Sequence, residues 1–388
     1  MGFLEPLTGG LFRFLAVVPP FLFVLIIVVF IHELGHFLVA RWCGVTVKAF
    51  SIGFGKEIFG FYDRYGTRWR FAWVPLGGYV KFLDDENSAS VPSRAALEKM
   101  TPSERAGAFQ SQPLAARCAI VAAGPVANFL LAIVIFALTF TFVGVQVTAP
   151  RVDELVADGP AATAGFRSGD VIVSIDGQAI ETFADMQRIV SASADHELGF
   201  EVNRGGVLLK LKVTPARREI SDRFGNKLRV GVIGIRRNPT QAEWEFKRYG
   251  PIESLGLGVR ETVFIITRTL SYLGDVIMGL ESADQMRGPI GIAEISGQVA
   301  SAGIVPLLSL TAVLSVSIGL INLFPIPLLD GGHLLFYAAE VLRGRPLSEK
   351  SQEYGFRVGL VLVLMLMVFA FYNDFHQVPW LKGLFGRS

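Results

Sequence analysis

Apolar residues gather in four long runs separated by polar, glycine-containing stretches. The first run, Phe14 to Ala40, is interrupted only by His32, Glu33 and His36. The second, Cys118 to Gly144, carries no charge at all. The third lies inside the charge-free stretch from Ile295 to Leu329. The fourth, Val358 to Tyr372, is shorter, with Asn373 and Trp380 placed to sit at a membrane interface. A helix needs about 20 apolar residues to cross a bilayer. The pattern therefore predicts a polytopic α-helical membrane protein with about four transmembrane helices, rather than a set of buried core helices.

Between these runs the periodicity changes. Val171–Ile175 reads as a strand entering a turn at Asp176-Gly177, and Thr182–Ser191 has helical spacing. Phe200–Asn203 and Val207–Val213 flank Arg204-Gly205-Gly206, a hairpin signal. These elements predict a compact mixed α/β domain, followed by a β-rich piece at Leu228–Ile235. Ile252–Leu280 is apolar but carries Arg260, Glu261, Arg268 and Asp275. It reads as an amphipathic helix on the membrane surface, with a fifth span as the alternative. Nearer the N-terminus, Arg68–Val74 is strand-like and Gly60, Gly66, Gly77 and Gly78 supply turns, whereas Asp84–Pro113 is a polar loop. The expected divisions are 1–44, 45–116, 117–145, 146–217, 218–290, 291–341 and 342–388.

Of the 388 residues, 51% are hydrophobic and only 18% charged. Soluble domains average about 25% charged residues, so an ordinary soluble enzyme is disfavoured. Lys and Arg total 36 against 34 Asp and Glu, a net charge of +2 that offers no basic excess for nucleic acid. Two cysteines exclude a disulfide scaffold or a Cys-cluster metal site, and Cys43 and Cys118 read as packing residues. Lys and Arg are dense in 41–117 and recur as Arg343, Arg345, Lys350 and Arg357, while only Arg13 precedes the first span. By the positive-inside bias, 41–117 and 340–357 face the cytoplasm. The N-terminus, the 145–290 region and the C-terminus then lie outside.

The chemistry begins at His32-Glu33-Leu34-Gly35-His36. Spacing of i, i+4 puts both imidazoles on one helix face, where they can bind one Zn²⁺, and Glu33 stands beside them as a base for a water. Ionisable residues at membrane depth are costly and read as functional. From a helix start near Pro20, the pair lies roughly 18–24 Å along the axis, toward the cytoplasmic side. A third protein ligand is needed, and Asp330 at the inner end of the third span is the best placed. Pro325 and Pro327 break the helix before it, and Gly331-Gly332 permits close approach after it. His333 reads either as a group supporting a ligand or as an interfacial histidine. Asp374, beyond the fourth span, reads as a carboxylate remote from the site.

These motifs carry a resemblance. HELGH in the first span, Asn322-Leu323-Phe324-Pro325-Ile326-Pro327-Leu328-Leu329-Asp330-Gly331-Gly332 after the third and Ala123-Gly124-Pro125-Val126-Ala127-Asn128-Phe129 in the second resemble the site-2 protease family of intramembrane zinc metalloproteases. The similarity is to its bacterial branch that trims anti-sigma factors, the RseP (regulator of sigma-E protease) group. Arg151–Pro215, with Ala164-Gly165-Phe166-Arg167-Ser168-Gly169-Asp170 carrying the match, is similar to a PDZ domain. One such domain is recognisable, where well-known members carry two.

The resemblance implies one Zn²⁺ per chain held by His32, His36 and Asp330, with Glu33 catalytic and Asn322 holding the substrate backbone. It also implies that Phe50–Gly55 and Phe71–Lys81 form a membrane-associated reentrant β-hairpin, placing Gly53, Phe54 and Gly55 at the substrate. A cytoplasmic loop is the alternative for that hairpin. The implied partners are membrane lipid and single-span membrane proteins, the PDZ domain contacting a substrate or its trimmed C-terminus, or excluding untrimmed ones. The implied location is the bacterial inner membrane, with the PDZ domain extracytoplasmic. The rival classes are a metal transporter, which has no need of Glu33 beside His32 or of a PDZ domain, and a non-catalytic PDZ scaffold, which would need a damaged metal site where this one is complete.

Overall fold

The computed structural model describes residues 5–84, 100–221, 227–240, 243, 245–283 and 286–377. Residues 85–99 of the expected polar loop, Trp380 and the C-terminal tail lie outside the described residues. Contacts divide the chain into one unit of Met1–Thr139 with Ser254–Ser388, and a second of Phe140–Glu253 inserted into it.

The first unit opens with α1 (Glu5–Trp42), which carries the histidine pair. A long antiparallel ribbon of β1 (Val47–Tyr62) and β2 (Arg68–Phe82) follows. The ribbon curls, because Phe50 lies opposite both Val80 and Trp69 while the outer halves pair from Phe54↔Val74 to Tyr62↔Arg68. Gly53 makes the bend at φ +87°, where a Cβ would lie 2.7 Å from the Val74 carbonyl oxygen. Phe50 is fully buried between Phe37 of α1 and Trp69, with ring centroids 5.5 and 4.3 Å away. Burying a side chain of that size contributes about 1.5–3 kcal/mol. Arg41 anchors the far end: it pairs with Asp63, donates to Thr67 Oγ1 at 2.9 Å and lies over the Phe37 and Tyr65 rings. The ribbon is thus fixed to the helix that bears His32 and His36.

A short helix, α2 (Pro102–Ala106), precedes α3 (Leu114–Leu138), which packs along α1. Close approach is possible because position 35 is glycine; a Cβ there would fall 2.7 Å from Ala127 Cβ. Small residues at a crossing are how helices associate where lipid removes the usual hydrophobic drive.

The inserted unit contains strands β3 (Val145–Val147) and β4 (Glu154–Leu155), helix α4 (Pro160–Thr163), strands β5 (Val171–Ile175) and β6 (Gln178–Ala179), and helix α5 (Phe183–Ala192). Strands β7 (Leu198–Arg204), β8 (Val207–Val213), β9 (Ala216–Ser221), β10 (Lys227–Val232), β11 (Ile235–Arg236) and β12 (Glu245–Lys247) complete it. The main sheet has the order β6-β5-β7-β8. Gly205 and Gly206 turn the β7–β8 hairpin with φ of +59° and +93°, the pair of positive values a tight two-residue turn requires. Thr182 caps α5, accepting the Asp185 amide at 3.1 Å while Asp185 accepts the Thr182 amide in return. Ile172, Ile175, Met186, Val190, Phe200 and Val202 form the core. Ile233 joins that core and β11 pairs with β4, so the unit continues past residue 217.

The chain returns to the first unit through α6 (Pro251–Ile277), α7 (Pro289–Ser301), α8 (Ile304–Asn322), α9 (Asp330–Arg343) and α10 (Glu349–Gln377). Among the described residues, four helices are long and apolar enough to cross a membrane: Phe14–Trp42, Leu114–Val143, Ile304–Asn322 and Lys350–His376. The charge-free third stretch is not one helix. Gly303, at φ +116°, separates α7 from α8, and residues 323–329 form a turn before α9. The fourth helix begins well before its apolar run, at Glu349. Helix α6 buries Ser254, Gly258 and Thr262 while Ile252, Leu255, Val259 and Val263 are exposed. Gly258 lies against α3, where a Cβ would be 2.7 Å from the Ile133 carbonyl oxygen.

Asp374 has a structural role. Its side chain is fully buried and accepts the amides of Gly288, Ile290 and Gly291 at 2.9–3.0 Å, capping α7 from α10. The charge on a helix N-terminus makes a buried carboxylate tolerable there.

Candidate metal centre

Helical spacing does for His32 and His36 what the sequence predicts: their Nε2 atoms lie 3.2 Å apart on one face of α1. The third group arrives from α9. Asp330 is its first residue, and its Oδ2 lies 3.1 Å from His32 Nε2 and 3.5 Å from His36 Nε2. One ligand atom from each of the three falls within 4.8 Å of the others. The three side chains keep only 11%, 13% and 18% of their surface exposed.

Glycines make the space. Gly124 of α3 faces the Nε2 edges of both imidazoles, where a Cβ would collide with His36 Nε2 and lie 2.8 Å from His32 Nε2. Gly331 and Gly332 pack onto the backbone of 323–327, so the segment they admit is the turn preceding Asp330. The Pro-x-Pro break ends in that turn, with the Leu329 carbonyl accepting the Gly332 and His333 amides of α9. The turn is only partly buried, and Leu328 within it lines a cavity.

The hydrogen bonds orient both rings. His36 Nδ1 donates to the Ile120 carbonyl at 2.8 Å, which leaves Nε2 without a proton. The Asn128 side-chain amide, fully buried on α3, lies 3.3 Å from His32 Nδ1. Its Oδ1 has no partner when the amide nitrogen faces the ring. Turned by half a rotation, Oδ1 accepts the Nδ1 proton, and Nε2 of His32 is bare as well. Asp330 Oδ2 is itself buried without a hydrogen-bond donor among the described residues. Two imidazole lone pairs and a carboxylate oxygen, all buried and facing one another, repel unless a cation lies among them. Two nitrogens and an oxygen are the donor set of a catalytic zinc site with an open position.

The centre opens on a cavity of about 680 Å³. Glu33, Phe54, Asn322 and His333 line it, together with the β2 segment from Gly77 to Val80. Gly78 passes close to Glu33, where a Cβ would lie 2.9 Å from Glu33 Cγ. His333 stands 5.5 Å from the Phe356 ring. Gly53 and Gly55, grouped by resemblance with Phe54, shape the ribbon without lining the cavity. Asn128 lies within a quoted motif, yet its place behind His32 was not legible. A polar residue inside a charge-free span is the one signal of it that the sequence carries.

The family model described as peptidase family M50 matches residues 20–366. A protein of Rhizobium meliloti named as a zinc metalloprotease is 49% identical over 366 residues, covering 94% of this chain and 97% of its own. Metalloprotease MmpA of Caulobacter vibrioides is 40% identical over 396 residues, covering 96% of this chain and 98% of its own. A solved PDZ domain from an SdrC-like protein of Listeria monocytogenes matches 24% of this chain and 88% of that one, at 21% identity and a TM-score of 0.18, too slight a likeness to argue from.

Proposed function

This chain belongs to peptidase family M50 and is a zinc metalloprotease, and from that premise we propose that it cuts the transmembrane segments of single-span membrane proteins near the cytoplasmic face. The observation that carries this reading is the meeting of His32, His36 and Asp330 beside Glu33, in a cavity bordered by helices apolar enough to cross a membrane. His32 Nε2, His36 Nε2 and Asp330 Oδ2 would hold the zinc. Zinc in such a site supplies a Lewis acid for a peptide carbonyl and acidifies water.

The chain's own residues do the rest. Glu33 takes a proton from the attacking water on its carboxylate and delivers it to the departing amide nitrogen. The β2 segment Gly78–Phe82 pairs with β1, and its cavity side offers backbone groups to an unwound substrate strand. A transmembrane helix hides its own amides, so such a strand must be drawn out before it can be cut. Asn322, at the end of α8, is positioned in the same cavity to hold that strand's backbone.

Loop charges support an orientation in the bacterial inner membrane with 41–117 and 340–357 cytoplasmic and the PDZ-like unit outside. There that unit meets a substrate's outer part, either binding a newly trimmed C-terminus or excluding an untrimmed domain. Substrates of the anti-sigma-factor kind and remnant signal peptides fit a site that takes single spans. Co-expression with a panel of truncated single-span membrane proteins tests the reading. Cleavage by the native chain and none by Glu33→Gln supports it; no cleavage of any member by the native chain counts against it.

A further inference from the structure

Four residues other than glycine have positive φ among the described residues: Asp158, Asp176, Asp195 and Leu328. The three aspartates belong to the inserted unit and are of a type that tolerates this region through local hydrogen bonding. Leu328, at φ +95°, has no such excuse. It occupies the third position of a turn closed by the Leu329 amide donating to the Ile326 carbonyl at 3.0 Å, with Pro327 second. That turn calls for glycine or asparagine at the third position. Glycine would adopt it freely, and this segment does use glycine at 331 and 332, where a side chain would collide.

The turn is held from two sides. Gly331 and Gly332 press on residues 323–327, and Gly359 of α10 approaches the Pro327 carbonyl oxygen. This packing keeps Leu328 in a conformation its own side chain disfavours. The side chain is not spent on the core: it is 42% exposed and lines the cavity, two residues before Asp330. Two residues of chain place its Cα no more than about 7 Å from that of Asp330. Val29, Phe54 and Ile318 give the cavity further apolar wall.

We propose that Leu328 is a specificity-determining residue, forming the wall of the pocket that receives the substrate side chain next to the scissile bond and limiting that side chain's size. The inference rests on the peptidase reading of the site. Removing the isobutyl group widens the pocket without disturbing the turn, since glycine is what the backbone prefers there. A larger residue at 328 narrows it.

The test uses the purified full-length chain and single-span peptides in detergent, with Ala, Leu, Phe or Trp on either side of the bond that the native chain cuts. Relative kcat/KM across the panel is the readout, with zinc content measured on each protein. Leu328→Gly is expected to keep about one zinc per chain and to shift preference toward Phe or Trp by about tenfold or more, the size of effect a hydrophobic pocket gives. Leu328→Trp is expected to shift it toward Ala. A preference profile unchanged within about twofold in zinc-loaded Leu328→Gly overturns the inference and leaves the peptidase reading standing. Failure of the native chain to cut any peptide overturns that reading and this inference with it.

Discussion

Asn128 on α3 stands on the opposite edge of the His32 ring from Asp330, its amide 3.3 Å from Nδ1 while Asp330 Oδ2 is 3.1 Å from Nε2. The asparagine's backbone is itself held, because the Ser315 hydroxyl donates to its main-chain carbonyl at 2.8 Å and Gly319 gives its Cβ room. A hydrogen bond on the far nitrogen fixes the tautomer that presents a bare Nε2, and losing one of this kind costs about 10–100-fold in metal affinity. Asn128→Ala is expected to weaken zinc binding by at least about tenfold. Competition with a chromophoric chelator measures it; native affinity in that variant would show that His32 needs no such partner.

Asp374 makes a second prediction, one about stability and not about the metal site. Removing it strands three amides at the start of α7, those of Gly288 and Gly291 buried and that of Ile290 partly so. Asp374→Ala is expected to cost about 3 kcal/mol or more, each unsatisfied buried amide being worth about 1–3 kcal/mol. Asp374→Asn, which keeps one acceptor, should recover part of that. Thermal unfolding in detergent reads the loss, and an unchanged melting temperature for Asp374→Ala refutes the cap.

The difference between His32 and Asp374 explains what could be read from the chain. HELGH announces itself because its spacing equals one helical turn and its polarity interrupts an apolar run. The hairpin at Gly205-Gly206 and the helix beginning beside Thr182 are equally local, and both stand where the pattern put them. Asp374 gains its role from a helix 83–86 residues earlier in the chain, a relation no local pattern encodes. The break at Gly303 was hidden for another reason: the stretch stays apolar through it, so hydropathy cannot see a change of direction that only backbone conformation marks. Leu328 was invisible because a leucine in a turn looks like any apolar residue until its φ is known.

The inserted unit should be acid-sensitive through Asp170. Its side chain is fully buried, and burial alone would raise its pKa, but Arg204 donates to both carboxylate oxygens at 2.7 and 2.8 Å and holds the group below the usual carboxylate range. A depressed folded-state value means stability that is present above the unfolded pKa and lost as pH falls through the folded one. The unit is therefore expected to loosen below about pH 4. Arg204→Ala leaves a buried carboxylate with only the Arg167 amide, at 2.9 Å, and should cost about 3 kcal/mol at neutral pH. Limited proteolysis of the full chain across pH, mapped to 140–253, reports both effects.

Orientation is tested by labelling. Lys210, on β8, keeps 86% of its side-chain surface exposed, and Ser348 precedes α10. With Cys43 and Cys118 replaced, Lys210→Cys should react with an impermeant reagent in spheroplasts and Ser348→Cys only after lysis. Labelling of position 348 in intact spheroplasts would reverse the assigned topology.

The central claim is that His32, His36 and Asp330 hold the zinc while Glu33, beside them, moves the proton. The most direct measurement is zinc per chain alongside cleavage rate, on purified native, Glu33→Gln and Asp330→Ala proteins. Glu33→Gln is expected to keep about one zinc and to lose at least about 100-fold in rate, the usual worth of a general base. Asp330→Ala is expected to lose both zinc and activity. Full zinc and full cleavage in Asp330→Ala, or a Glu33→Gln rate within about tenfold of native, would contradict the account.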